Sequence, residues 1–518
     1  MLLQPSACAR PALLFAVALL TALPLHAQDV EVPRTRTFPG VESPSFPYAQ
    51  PEEVGLSSAK LDRLADEIAQ WVAGGEIVGA ELLIVKDRRV VLHESFGWSD
   101  REERRPMERN SLFSIKSMSK PFTAAAILML VEDGKLSLDD PVSRYVPTFT
   151  NDSTTIHHLL THTSGYAGLG DTEDFASLKE WVEDWATEVP TRPFGEYSYS
   201  DFNYAALGYV VEAVSGVPVE TFIEEQILRP LGLDETYTEF SRDAPWADRM
   251  NSRYRWDEEA GTYEKYWSNK DDQSWQFYPA AWGLYSTAMD YAEFLAMWMD
   301  KGRYGGTRLL TEESVEEALW PHAQRPYSGY GYGWGVRKAP REEEMPPVFG
   351  HGGYDGTRAW AFPAVDAMVI FLTHSRGRAH RDALMNRLGM LEIFDHPGPY
   401  TRNLVWAGDQ DVAEVDLSPI EQAGYVGTYR EPGGDVVRVW QEGGRLHYRL
   451  GEPGERADRW LHLVPLGEHR FARGRYRGDQ LETIDPLGRV QFVAEDGEAT
   501  GLEILVEDQV QFSARRTQ

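Results

Sequence analysis

The change of texture near residue 400 constrains this chain more than any other feature. Up to about Pro399, segments with helical apolar spacing alternate with β-rich runs. From Ser418 onward, short apolar runs such as Val436–Trp440, Leu446–Leu450, Val490–Val493 and Leu502–Val506 are divided by Gly-containing turns, with no helix of useful length. Helix and strand periodicities place apolar side chains differently, so one packed layer cannot serve both patterns. The chain therefore reads as an α+β region followed by a small antiparallel β-barrel. Its 518 residues agree with two or three domains, at roughly 100–200 residues each. The expected division is 1–27 leader, 28–50 extended lead-in, 51–398 large domain, 399–417 linker and 418–518 barrel, with the acidic stretch Asp409 to Asp416 inside the linker.

Within the large region, Leu61, Leu64, Ile68 and Trp71 recur at helical spacing and predict an amphipathic helix over 57–72. Val78 to Val85 and Val90 to Phe96 flank Lys86-Asp-Arg-Arg89 and predict a strand hairpin. Ser117 to Asp133 is a strongly apolar helix stopped by Gly134. Residues Trp246 to Tyr278 are crowded with aromatics around Glu258-Glu-Ala-Gly-Thr262, which reads as a hairpin insertion. A further helix is expected over Ala288 to Met299, and two strands over Val348 to His374.

Composition narrows the function. Lys+Arg is 51 and Asp+Glu 81, a formal charge of −30. That charge repels phosphate backbones, and no basic stripe offsets it, which argues against nucleic-acid binding. Arg10 followed by the apolar run Ala12 to Leu23 reads as an export leader cleaved after Leu25-His26-Ala27. No stable membrane span is expected after cleavage, and the mature chain is expected to be periplasmic or extracellular. Cys8 is the single cysteine and lies in the leader, so no disulfide framework or thiolate metal site is expected.

Two Ser-x-x-Lys tetrads carry candidate chemistry, since a spacing of three puts amine and hydroxyl on one helical face. Ser57-Ser-Ala-Lys60 opens the charged surface helix, where Ser57 reads as an N-cap. Ser117-Met-Ser-Lys120 opens the apolar helix. There the helix dipole favours a nucleophile, and low-dielectric surroundings disfavour a charged amine and make Lys120 a base. Tyr197-Ser-Tyr-Ser-Asp201 precedes another apolar helix ending at Gly216. Tyr199 supplies a phenol for proton relay and Asp201 an acceptor. An equal reading has Asp201 or Ser200 capping the helix while Tyr199 packs. Phe349-Gly-His351-Gly-Gly-Tyr354-Asp-Gly356 lies on an expected strand; taken alone it reads first as a plain glycine-rich strand or turn, and second as a place where small residues admit a ligand close to backbone N–H groups. His158 and His162 have metal-ligand spacing but lack the His-Glu-x-x-His glutamate, and no Gly-x-Ser-x-Gly elbow is present. The aromatics Tyr254, Trp256, Tyr263, Tyr266, Trp267, Trp275, Phe277 and Tyr278 line a cleft or form the insertion's own core.

Together these elements, in order, resemble the serine β-lactamase-related hydrolases: class C β-lactamases, D-alanyl-D-alanine carboxypeptidases, D-aminopeptidases and family VIII carboxylesterases. Leu159-Leu-Thr-His-Thr-Ser-Gly165, Gly283-Leu-Tyr-Ser-Thr-Ala-Met-Asp290 and Tyr332-Gly-Trp-Gly335 agree, and the resemblance spans about Pro51 to Ile393. It implies a β-lactamase/transpeptidase-like antiparallel sheet flanked by helices. It also implies Ser117 as nucleophile, Lys120 as its base and Tyr199 as proton shuttle. The N–H groups of Ser117 and Tyr354 become the oxyanion hole, and Asp201, His351, Gly352 and Gly353 line the substrate site. His351 stands where β-lactamases have the lysine of Lys-Thr-Gly, and Asp201 where many relatives have asparagine; both departures count against β-lactam turnover. Residues Gln422 to Phe512, opening with Tyr425-Val-Gly-Thr-Tyr429, resemble the lipocalin-like C-terminal domain of some of these hydrolases.

The expectation is an exported hydrolase working through an acyl-enzyme on a small-molecule or peptide substrate, without metal or cofactor. D-Aminopeptidase, D,D-carboxypeptidase and β-lactamase activities are alternatives. Rivals from other classes are a penicillin-binding sensor without turnover and a non-catalytic binder acting through the barrel. A neutral imidazole at 351 and the charge of −30 favour uncharged acyl groups over penicillins. Neither the substrate nor the oligomeric state is set by the sequence.

Overall fold

The computed structural model describes residues 33–36, 45–377, 393–394 and 405–517, apart from 110, 150, 167, 169–171, 173, 189, 274, 326–327, 338–347, 432–435, 451–459, 478, 496–497 and 507–508. The expected leader, most of the expected lead-in and the first part of the expected linker lie outside the described residues.

The amphipathic segment forms a helix, Ser58–Ala73, that buries Leu61, Leu64, Ile68 and Trp71. Ser57 occupies its N-cap position without a side-chain bond. The Glu52 carboxylate takes the Ser58 N–H and hydroxyl instead. The expected hairpin is Gly79–Lys86 paired antiparallel with Arg89–Asp100. These strands enter a large sheet ordered Arg34–Arg36, Arg89–Asp100, Gly79–Lys86, Ala367–Thr373, Arg358–Phe362, Val348–Gly352, Gly335–Arg337, Ser328–Tyr330 and Ala323–Arg325. Every neighbouring pair along this path is antiparallel. Val348 to His374 holds three strands rather than two. Two reversals interrupt it: a turn at Tyr354–Gly356 and one at Pro363–Asp366, where Asp366 takes φ 42°.

The sheet is covered on both faces, which explains why Gly79–Lys86 is buried from Gly79 through Val85 and, apart from Glu81, apolar there rather than alternating. Leu82, Ile84, Val369 and Phe371 pack against the Ser58–Ala73 helix. Leu83, Val85, Ile370 and Leu372 point the other way, into the larger core with the helices Lys120–Glu132, Asp201–Ser215 and Ala288–Met299. The Lys120–Glu132 helix is apolar all round and is buried from Lys120 through Leu128, as a helix without a solvent face must be. Among the described residues no single helix is long and apolar enough to cross a membrane.

The insertion is a hairpin, Arg253–Asp257 with Thr262–Trp267. Its aromatics are mostly core: Tyr254, Tyr263, Trp267, Trp275 and Tyr278 are buried, while Tyr266 reaches the surface.

The C-terminal strands close a ring of eight antiparallel strands, Gly427–Arg430, Val436–Glu442, Arg445–Leu450, Trp460–Gly467, Arg470–Arg477, Gln480–Glu495, Glu498–Val506 and Gln509–Arg516. Tyr425, Tyr429, Tyr448, Phe471, Phe492 and Phe512 share one buried cluster, as expected of a barrel this small. Val405–Trp406 pairs with the Gln480–Glu495 strand, so the stretch read as linker is attached to the barrel from Val405 onward.

Candidate active site

The Ser-x-x-Lys tetrad of the apolar helix begins as a tight 3₁₀ turn, Lys116–Ser119, that runs into the Lys120–Glu132 helix. In such a turn residues three apart eclipse one another. Lys120 Nζ accordingly donates to Ser117 Oγ at 3.2 Å. Lys116 enters the turn at φ 50°, a left-handed conformation uncommon for a side-chain-bearing residue. Ser119 fastens the turn from behind. Its hydroxyl donates to the Lys116 carbonyl at 2.7 Å and accepts the N–H groups of Gly283 and Leu284 at 3.2 and 3.1 Å.

Lys120 is fully buried. Its amine also reaches the Asp201 carboxylate and, at 3.0 Å, the Ala281 carbonyl. It sits 4.8 Å from the Tyr199 ring centroid and 5.7 Å from that of Tyr204. Burial holds the Lys120 ammonium below its ordinary pKa, and Asp201 opposes part of that shift. Asp201 is the first residue of its helix, and Ser200 sits at the N-cap without a side-chain bond. Neither residue caps with its side chain; the Asp201 carboxylate is drawn to the buried lysine instead.

Tyr199 stands at the rim, 38% exposed as a residue. Its hydroxyl is enclosed, and burial followed by the nearby Asp201 charge raises it well above the usual phenol pKa. A phenol so placed is a proton donor at neutral pH rather than a phenolate. His351 lies 6.2 Å from Tyr199, ring to ring. It is buried, and burial first, then the Lys120 charge, pushes its imidazole down to about 3. Nδ1 lies 2.9 Å from the Gly352 carbonyl and Nε2 3.0 Å from the Tyr330 hydroxyl. A carbonyl only accepts, so the proton is on Nδ1 and Nε2 accepts from Tyr330. The ring is a neutral wall group and offers no cation to a substrate.

Gly352 and Gly353 admit no side chain, yet the atoms they face belong to the protein. A Cβ on Gly352 would lie 2.3 Å from the Arg358 guanidinium. One on Gly353 would lie 2.1 Å from Thr357 Oγ1 and 2.4 Å from the Ile115 carbonyl oxygen. This close approach brings Tyr354, the next residue, beside the turn that carries Ser117. We expect Gly353→Ala to lower kcat/KM by about 100-fold or more, the scale of a lost oxyanion-hole donor. Steady-state kinetics on protein with unchanged circular dichroism would check it; undiminished activity would remove any role for that juxtaposition.

Tyr330 and Ala281 at the site were not singled out by motif reading, and His162 was read only for its metal-ligand spacing and within the stretch Leu159–Gly165. His162, at φ 58°, accepts the Ser200 N–H at 3.2 Å through Nδ1, and its carbonyl accepts the Ser198 N–H at 2.8 Å. It thereby holds the segment bearing Tyr199. His158 instead faces Thr155, with Nδ1 2.8 Å from its hydroxyl, and among the described residues no cluster suits a metal ion. Tyr330 is buried between His162 and His351, with ring centroids at 4.8 and 6.0 Å. Ala281, whose carbonyl holds Lys120, follows Ala280 at φ 58°. In the sequence the loops of Ala281 and Tyr330 were marked by the density of Gly, Tyr and Pro around 278–283 and 329–333 and by the agreeing stretches that begin at Gly283 and Tyr332.

A protein-family model described as Beta-lactamase matches residues 62–392. The chain belongs to the β-lactamase family. Its relatives within that family include "Penicillin-binding protein 4*" of Bacillus subtilis (strain 168). That protein is 26% identical over 407 residues, covering 74% of this chain and 85% of the relative. A "Putative D-alanyl-D-alanine carboxypeptidase" of Escherichia coli O157:H7 is 25% identical over 382 residues, covering 64% of this chain and 86% of its own length. Among solved structures, the octameric penicillin-binding protein homologue from Pyrococcus abyssi superposes with a TM-score of 0.57 at 24% identity, covering 88% of this chain and 100% of its own. EstCE1, described as a hydrolase with promiscuous acyltransferase activity, gives 0.53 at 23% identity, covering 63% of this chain and 97% of its own. At these identities the two structures establish the β-lactamase/transpeptidase fold.

Proposed function

We propose that this protein is an exported serine hydrolase that cleaves an ester or amide through an acyl-enzyme. The observation that carries the reading is the Lys120 amine, fully buried and 3.2 Å from Ser117 Oγ. In the proposed cycle Ser117 Oγ attacks the substrate carbonyl and its proton passes to the neutral Lys120 amine. The N–H groups of Ser117 and Tyr354 hold the tetrahedral oxyanion. Tyr199 gives its hydroxyl proton to the leaving group and is reprotonated from Lys120. Water then attacks the Ser117 ester by the same transfers in reverse. The relatives named for D-alanyl-D-alanine carboxypeptidase support a second reading, a D-amino-acid peptide as substrate. The C-terminal barrel, with its filled interior, is proposed to pack beside or gate the large domain rather than to carry chemistry.

Burst kinetics with a p-nitrophenyl ester tests the reading. A burst followed by steady turnover supports it. A single stoichiometric burst indicates a penicillin-binding sensor, and no release at all rejects acyl transfer. A panel of esters, D-amino-acid amides and β-lactams ranks the substrate classes. Because His351 is neutral, the lysine anchor for a β-lactam carboxylate is missing. Short-chain aryl esters are expected to exceed any cephalosporin in kcat/KM by at least about tenfold, roughly 1.4 kcal/mol. His351→Lys is expected to narrow that gap. Efficient cephalosporin hydrolysis by the wild type without esterase activity would reverse the ranking.

A further inference from the structure

The residue before the nucleophile belongs to a second set of charged side chains. Lys116 Nζ lies 5.1 Å from the Trp275 ring centroid and 3.8 Å from Asp355 Oδ2. The Arg253 guanidinium lies 4.0 Å over the Trp267 ring and 5.7 Å from that of Trp275. Arg376 stacks 3.9 Å over Tyr354 and bonds its hydroxyl. Tyr266 donates to Asp355 Oδ1 at 3.2 Å. Asp355, Arg253 and Arg376 are the charges that act on Lys116, and the same three act on Tyr266. The set thus gathers three cations around one carboxylate, in a protein whose net charge is −30.

Part of this set has a structural reason. The Tyr266–Asp355 contact docks the inserted hairpin against the turn after Val348–Gly352, and Arg376, on the short strand Ser375–Arg376 paired with that hairpin, holds Tyr354 of the same turn. Arg253 is left over by that account. It is 3% exposed, and its Nε and Nη2 are buried without a hydrogen-bond partner among the described residues. Asp355 Oδ2 is likewise without one, so the one carboxylate present does not satisfy the arginine. Tyr285 reaches the guanidinium, yet two buried nitrogens left without an acceptor are costly unless an anion or water completes them. Burial lowers the Lys116 ammonium to about 8, with Arg253 and Arg376 adding to the shift and Asp355, 3.8 Å away, opposing it.

We propose that Arg253, aided by Lys116 and Arg376, binds a carboxylate carried on the acyl group of the substrate. The assignment to the acyl side rests on the acyl-enzyme reading above. Tyr199 protonates the leaving group, which therefore lies toward Tyr199 and His351, whereas this set adjoins Tyr354 and the residue before Ser117. The favoured acyl donors are then half-esters or half-amides of dicarboxylic acids, including acyl chains that end in an amino-acid carboxylate. This revises the expectation of uncharged acyl groups. Net charge acts at long range and is screened beyond about 8–10 Å in physiological salt, while these cations act at contact.

The test compares mono-p-nitrophenyl adipate with p-nitrophenyl hexanoate, which match in chain length and differ in the terminal carboxylate. The wild type is expected to favour the adipate in kcat/KM by at least about tenfold. Arg253→Gln is expected to erase that ratio and Arg253→Lys to restore part of it. A purely structural role for Arg253 lowers both esters together and leaves the ratio intact, which would overturn the proposal, as would a wild type that favours the hexanoate. An equilibrium arm keeps this test separate from turnover. Calorimetry of adipate with Ser117→Ala protein is expected to show binding that the added Arg253→Gln removes. Should no ester be turned over, the acyl-enzyme reading fails while this arm still decides the subsite; absent or Arg253-independent binding rejects it.

Discussion

Ser117→Ala is expected to abolish labelling by a fluorophosphonate probe and to cut ester turnover by about 10⁴-fold or more, the scale seen when a serine nucleophile is removed. The geometry predicts more than a single essential residue. The Lys120 amine is tied at once to Ser117 Oγ, to the Ala281 carbonyl and to Asp201, and the Tyr199 ring lies against it. Groups that pass one proton among themselves act as a unit. Lys120→Ala and Tyr199→Phe are each expected to cost several orders of magnitude. The double variant Ser117→Ala with Lys120→Ala is expected to be little worse than Ser117→Ala alone. Intact mass and peptide mapping provide the check. A label that persists in Ser117→Ala, or that maps to Ser57, would remove the assignment. So would single losses that multiply in the double variant.

Asp201→Asn is expected to shift the pH dependence of the reaction in a direction the structure fixes. Burial lowers the folded-state pKa of Lys120 and Asp201 opposes that shift. Removing the carboxylate charge therefore lowers it further. In the proposed cycle Lys120 acts as the neutral amine, so the acidic limb of the kcat/KM profile is expected to move to lower pH. The expected displacement is at least about one pH unit, a modest share of what a contact charge pair is worth at intermediate dielectric. Stability moves in step. With its folded pKa below the unfolded value of 10.5, Lys120 binds fewer protons in the folded chain, so its contribution makes stability rise with pH across that window. Asp201→Asn extends the window downward, and the variant melts earlier near neutral pH with the deficit shrinking as pH rises. Thermal melts across pH, read beside the rate profiles, check both signs. A limb that stays put or moves upward would mean that Lys120 is not the titrating base.

Three features of the chain were decided by local chemistry and were legible in the sequence. The apolar spacing of Leu61, Leu64, Ile68 and Trp71 specifies one buried helical stripe. The Ser117–Lys120 spacing brings hydroxyl and amine together in any tight helical turn. The short runs after Ser418, separated by Gly-containing turns, can bury themselves only as a closed antiparallel sheet. Each depends on residues close in the chain, so periodicity and turn chemistry suffice.

What only the tertiary structure decided depends on partners far apart in sequence. Lys120 finds Asp201 and the Ala281 carbonyl, 81 and 161 residues away. Around those contacts Lys116, His162 and Ala280 adopt left-handed backbone conformations, which no propensity of lysine, histidine or alanine announces. The fate of His351 was equally hidden. Its type predicts titration near neutrality, whereas burial beside Lys120 and the Tyr330 hydroxyl makes it a permanent neutral wall. The inserted aromatics were open between core and cleft by composition. The fold buries most of them and brings Arg253 and Lys116 to one ring, Trp275, next to the turn that carries Ser117. Charge is counted along a chain but acts through space, so a sequence of net charge −30 can still build a local site for an anion.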